Sequence, residues 1–429
     1  MFGAARIATY HMGGGGAGTA GETYWYTTLG TASGADDYFY GIEVDTSGNV
    51  YAFGNEDNGT NRQALFAKYD SNGNLQLQRN LGDSNEQIFQ KAAIDTSNNL
   101  YVSGHTENFV TGSGLDFFIM KLDTSGNITW QKVIYNSTNT ELGLDIAVNS
   151  SGEVYYTGYS TFSGNNDVYI GKLNADGTSA WARTIGNTNS DQGYAITLDS
   201  GGNAYATGFA NSGSGARATI FKYNSTGTLQ WQVEVVNTGR FQGIAVDSSD
   251  NLYTVGYIPS ATTGSIMKWN SSGVLQWQRQ IAPGTSCVLW DVRVDGSDVY
   301  LTGLGRASGS LNKFLIFKYD TNGNQTWQRS LGHSTLSLSA YCLSVRNNNI
   351  YVGGGEAGNF KASILKVPTD GTKTQTFGSY TYGSESFTSS TPTNTTGTPT
   401  YTSTNRTMTV GNGAYTFGTL TYTAVKTNL

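Results

Sequence analysis

An all-β ring of seven four-stranded antiparallel blades, a β-propeller, follows from three features of this 429-residue chain. The first is a run of the form Lys-x-Asp/Asn-x-x-Gly-x-x-x-Trp, found at 121–130 (KLDTSGNITW), 172–181, 222–231, 268–277 and 318–327. A sixth copy at 68–77 carries Leu77 in place of the tryptophan, and 366–375 is a degenerate seventh. The second is a Tyr-x-x-Gly anchor between these copies, beginning at Tyr51, Tyr101, Tyr155, Tyr205, Tyr253, Tyr300 and Tyr351, with spacings of 47–54 residues. The third is that each unit holds four short β-patterned runs. A repeat of this period is one supersecondary unit stacked many times. Four antiparallel strands joined by tight turns make one propeller blade.

The third unit shows the elements in order: LDIAVN (144–149), VYYTGY (154–159), DVYIGKLN (167–174) and TSAWARTIG (178–186). β-branched and aromatic residues fill the runs, and Gly, Asn, Asp and Ser bound them. No window sustains a helical period. The turns DTSGN (45–49 and 123–127), DSNGN (70–74) and DTNGN (320–324) place Asp first and Gly late. Asp bonds the backbone two residues on, and Gly accepts the positive φ of a tight hairpin. These turns lack the alternating carboxylates and distal Glu of a calcium loop, so hairpin is preferred to metal site. WYTTLG (25–30) resembles the outermost strand WQRSLG (327–332) and precedes the first anchor. The N-terminal part is therefore expected to supply the outer strand of the last blade and close the ring. Trp25, Trp130, Trp181, Trp231, Trp277 and Trp327 then read as packing anchors between blades.

The organisation expected is a flexible Gly-rich arm (1–24), the propeller (25–377) and a tail (378–429) rich in Thr, Ser and Tyr. Residues 384–405 read as a linker, and 407–425 as a hairpin about Gly411-Asn412-Gly413 that pairs with the propeller, another copy or a partner. Low charge (13%) and only 5 Pro beside 56 Gly suit an all-β protein of tight turns. Net charge −6 without a Lys/Arg cluster argues against nucleic acid or an anionic membrane as partner. No signal-peptide core or membrane-spanning stretch is visible. Cys287 and Cys342 read as free thiols.

The turns between strands 1 and 2, and 3 and 4, are short and uniform. The loops between strands 2 and 3 vary, which marks their face for recognition. Phe109 and Phe162 in these loops are candidate sugar-stacking aromatics. Just before successive innermost strands stand Asp37, Glu86, Glu141 and Asp191, a candidate polar ring at the channel mouth. The alternative is carboxylates accepting loop N–H bonds, which is the reading preferred. Arg240, Cys287 and Ser337 continue the row. His11, His105 and His333 occupy different repeat positions, and no catalytic or metal-ligand spacing appears, so no enzyme and no cofactor is expected.

The D-x-S-G-N turns, the Tyr-x-x-Gly and the Lys-x-Asp-x-x-Gly-x-x-x-Trp together resemble the bacterial repeat known as SBBP, across roughly residues 25–377. That resemblance implies a seven-bladed propeller in a functionally mixed family. The Asp-x-x-Gly-x-x-x-Trp part also resembles the tryptophan-docking motif of pyrroloquinoline quinone dehydrogenases and of outer-membrane assembly lipoproteins. This chain departs from both, with seven units rather than eight and no vicinal or lipobox cysteine. In general character the glycine- and tyrosine-rich repeat with its Thr/Ser/Tyr tail resembles virion structural proteins of tailed bacteriophages, marine ones in particular. That resemblance implies a non-enzymatic structural or adhesion protein, made in the host cytoplasm and built into an oligomeric assembly. Its expected partners are other virion proteins and a host surface glycan. The alternative is an extracellular or periplasmic carbohydrate- or protein-binding propeller of a bacterium.

Overall fold

The computed structural model describes residues 6–12, 23–30, 36–57, 59–81, 85–107, 114–135, 140–162, 164–211, 215–235, 239–258, 263–282, 286–306, 308–358 and 361–384. It also describes five tail segments, 388–390, 396–397, 402–405, 409–412 and 417–419. Every regular element among these residues is a β-strand, and the strands form seven sheets, one per blade. No helix of the described residues is long and apolar enough to cross a membrane.

Blade 1 runs outward from the axis as Tyr38–Val44, Val50–Asp57, Arg62–Tyr69 and Leu75–Leu81. Blades 2 to 6 repeat that order, and the innermost strands of successive blades touch around the ring. Blade 7 takes Ser337–Arg346, Asn349–Ala357 and Lys361–Pro368 from its own unit and Tyr24–Gly30 from the other end of the chain. Trp25 lies opposite Lys366 in that pairing, so the ring closes as the sequence repeat implies.

The repeat residues hold neighbouring blades together. Each of the six motif tryptophans donates its Nε1–H to a carbonyl in the next blade's strand 3–4 turn, at 3.0–3.2 Å. The indole covers the positive-φ glycine of that turn: a Cβ on Gly227 would meet the Trp181 ring at 2.6 Å. Where Leu77 replaces tryptophan, Phe66 and Leu77 occupy the space against Gly126. The motif lysine pairs across the strand with the anchor tyrosine, and in all seven units its ammonium sits 4.8–5.8 Å from the ring centre. The turn aspartates are fully engaged. Asp45 accepts N–H bonds from Ser47 and Asn49, the Asn49 amide and the Tyr51 hydroxyl. Asp95, Asp199 and Asp247 repeat this set. Burial pushes these carboxyls up, and the hydrogen bonds outweigh it and hold them below the usual carboxylate range. Their oxygens are spent on the hairpin.

The tail differs from the linker and hairpin expected of it. Tyr380–Ser384, Thr388–Ser390, Thr396–Gly397, Thr402–Asn405, Thr409–Asn412 and Phe417–Thr419 pair in turn with the outer strands of blades 6, 5, 4, 3, 2 and 1. Gly411 and Asn412 thus lie within a strand paired with blade 2, and the next strand pairs with blade 1, so the two do not pair with each other. Arg6–Met12, inside the expected flexible arm, pairs with Tyr24–Gly30 and covers blade 7. The physical reason is the row of unpaired N–H and C=O groups that each blade offers at its rim. Successive belt strands begin 6–8 residues apart, a reach of about 20–26 Å of extended chain. Arm and belt meet at the buried carboxylate of Glu356, which accepts the hydroxyls of Tyr26 (2.7 Å) and Tyr380. Tyr10 of the arm packs on both rings.

Candidate functional site

Every innermost strand carries a β-bulge at the same place, and the glycine of each Tyr-x-x-Gly faces it. A Cβ on Gly54, Gly208 or Gly354 would overlap the carbonyl oxygen of Tyr38, Gln192 or Ser339, and the other four blades show the same conflict. The glycine is therefore required by the bulge, beyond any packing role between blades. The bulged residues are Tyr40, Gln90, Leu144 and Tyr194 on blades 1 to 4 and Gln242, Trp290 and Tyr341 on blades 5 to 7. All seven line one axial chamber of about 380 Å³, together with Lys91 and Arg240.

The chamber has two aromatic walls. Tyr38, Tyr40, Trp290 and Tyr341 form one, with ring centres 5.2–6.0 Å apart. Opposite, the Arg240 guanidinium lies 5.1–5.6 Å from the ring centres of Tyr194, Phe209 and Tyr257 and donates Nη1–H to the Tyr194 hydroxyl at 2.9 Å. Innermost strands start at the face that bears the strand 2–3 loops, so the chamber opens there.

Charged side chains close the chamber below. Lys91 of blade 2 meets Asp291 of blade 6 at 3.3 Å and the Tyr341 carbonyl at 3.4 Å. Those blades are three steps apart, the widest separation in a ring of seven, so this pair spans the axis. Asp291 also holds Arg293 (2.8 Å) and the backbone N–H of Leu343 on the next blade (3.0 Å). Asp145 accepts the N–H of Ile196 across its own blade boundary at 2.9 Å. Burial raises Glu43 to about 7 and Asp145 to about 6, with Arg293 and Lys91 respectively opposing the rise. Beneath lies a second cavity of about 260 Å³, lined mostly by Ala, Ile and Val.

The members of the candidate mouth ring bond separate partners, not one another. Asp37 accepts the N–H of Asp57, Glu141 the hydroxyl of Ser160, and Asp191 the N–H groups of Asn187 and Asn211. All three are almost fully buried, and burial raises Asp191 to about 6. Counting back from the bulge, the fourth member of the row is Gln87, also fully buried, which donates to Thr106. Glu86 stands one residue off and faces His105 (3.8 Å) and Arg62 (3.9 Å). A one-residue shift exchanges the faces of a strand, so Glu86 and Gln87 stand on opposite faces. Phe109 lies outside the described residues, as does the side chain of Phe162, whose backbone pairs opposite Asn165. The three histidines lie apart, on the arm and on blades 2 and 6. Cys287 and Cys342 are buried free thiols, and burial pushes both up to about 12. Among the described residues no three metal-ligating side chains gather.

A signal for the chamber does exist in the sequence. The bulged residue stands eleven positions before the anchor tyrosine in blades 1 to 5 and ten before it in blades 6 and 7, where the intervening turn is shorter. Four of the seven residues in that column are aromatic.

No family model matches the chain, and no curated protein matches it. Among solved structures it is similar to Sqt1 from Chaetomium thermophilum, at 10% identity and TM-score 0.47, over 86% of this chain and 95% of that one. It is also similar to the polysaccharide lyase Uly1, at 10% identity and TM-score 0.42, over 80% and 91% of the two chains. A third is the endosialidase of phage phi92, at 10% identity and TM-score 0.41, over 82% and 71%. Similarities this distant have no bearing on function.

Proposed function

We propose that this chain is a non-enzymatic recognition propeller that binds a surface glycan in its axial chamber, as an adhesion component of a tailed-phage particle. The observation that carries the glycan reading is the ring of bulged residues. Tyr40, Trp290 and Tyr341 offer flat faces for the C–H faces of a sugar ring, while Gln90 and Gln242 offer amides to its hydroxyls. At about 380 Å³ the chamber is near the small end of ligand pockets, which run from about 300 to 1,000 Å³. Its opening on the variable-loop face lets those loops contact the rest of the glycan or a neighbouring subunit.

A glycan array probed with the full chain tests the reading. Binding that Trp290→Ala and Tyr341→Ala abolish is the expected result, and an array blank for the intact protein would overturn it. The particle setting rests on sequence character and is tested separately. Peptides of this chain in purified virions would support it. Their absence would return the protein to the alternative, a carbohydrate-binding propeller of a bacterial surface or periplasm.

A further inference from the structure

We infer that the chamber takes the end of an anionic saccharide, with Arg240 reading the acidic group. This rests on the glycan reading above and narrows it. The nine residues that line the chamber include two cations and no carboxylate, in a chain of net charge −6. Lys91 is matched by Asp291 at the floor. Arg240 has no carboxylate partner among the described residues: one guanidinium nitrogen donates to the Tyr194 hydroxyl, and Nε is buried without an acceptor. Nη1 is thus engaged, which leaves Nη2 of a cation in the chamber lining to meet a carboxylate or a sulfate.

The closed floor sets which part of the glycan enters. Lys91 and Asp291 bridge the axis, so a polysaccharide has no way through the propeller. An end or a side branch fits such a chamber, and the interior of a linear chain does not.

The test is calorimetric titration of the full chain with short oligosaccharides that end in a carboxylated sugar, a sulfated sugar or the uncharged counterpart. Arg240→Gln should weaken the acidic ligands at least about tenfold more than the uncharged one, since one charge-assisted hydrogen bond is worth about that factor. The arm that shows this effect identifies the anion. In the intact protein, raising salt should weaken the acidic ligands alone, a readout that needs no variant. A polymer carrying the acidic residue only at internal positions should bind at least about tenfold more weakly than the terminal form. Equal binding of charged and uncharged ligands, with Arg240→Gln affecting both alike, would overturn the anionic assignment and leave the glycan reading intact. Equal binding of internal and terminal forms would overturn the end-capture assignment. Failure of every saccharide to bind would overturn the glycan reading itself.

Discussion

The rim and the axis of this propeller are built by the same seven-fold repeat, yet they use it in opposite ways. At the rim the backbone and the side chain both repeat: six tryptophans make one hydrogen bond to one kind of turn, and only Leu77 breaks the series. On the axis the backbone repeats and the side chain does not. Seven bulges, each facing an obligatory glycine, present Tyr, Gln, Leu, Tyr, Gln, Trp and Tyr. Where packing fixes the neighbour, the residue is fixed too. Where the neighbour is an open chamber, the scaffold leaves the residue free to be chosen for what it meets.

The sharpest way to break this contrast is to delete one indole from each place. Trp181→Ala should cost about 3–5 kcal/mol in denaturant unfolding, because it opens a cavity between blades. Trp290→Ala should cost less than about 1 kcal/mol, because the ring borders a cavity already. Equal losses would mean that the axial aromatics are structural. Removing residues 385–429 should cost less than the Trp181 change, about 2–3 kcal/mol, by exposing the outer edges of blades 1 to 5. The shortened protein should keep its β-sheet circular dichroism and unfold faster. Loss of the folded signal would show that the belt is part of the core.

The floor of the chamber gives a pH signature. The folded-state values of Glu43, Asp145 and Asp191 are raised, to about 7, 6 and 6, so their contribution is present in full below pH about 4 and is lost as pH rises through about 6–7. The turn aspartates are lowered, so theirs is present above pH about 4 and is lost as pH falls. Stability should therefore peak near pH 4, decline as pH rises to about 7 and level off above that. Glu43→Gln should recover about 2–3 kcal/mol at pH 8 and almost nothing at pH 4, read as melting temperature against pH. The smallest effect expected is that of Lys121→Met, about 0.5–1 kcal/mol for losing its place over the Tyr101 ring. A larger loss would mean that the lysine–tyrosine pair does more for the rim than the geometry suggests.

Particular residues show how far the sequence could be read. The motif tryptophans, the D-x-S-G-N turns and the Trp25 closure were legible because each is a local pattern with one physical use. The chamber was not, although its column of residues stands ten or eleven positions before each anchor tyrosine. A bulge reverses the alternation of faces along its strand, so Trp290 and Tyr341 point to the axis from positions that simple alternation does not assign to it. Glu86, counted in the mouth ring, stands one residue from the row that Asp37, Glu141 and Asp191 share, and faces His105. The belt escaped because segments such as Thr388–Ser390 and Thr396–Gly397 are too short to show a period of their own.

The sequence by itself determined the seven units, their four strands, the closure through Trp25 and the packing of the tryptophans between blades. These depend on contacts within one repeat or between adjacent copies, and repetition writes such contacts out several times. Only the tertiary structure decided what the ring encloses and what encircles it. Lys91 meets Asp291 across the axis from 200 residues away, and the tail finds six rims in reverse order. Those partners are set by where closure places the blades in space, and a contact made once between distant segments leaves no periodic trace in the chain.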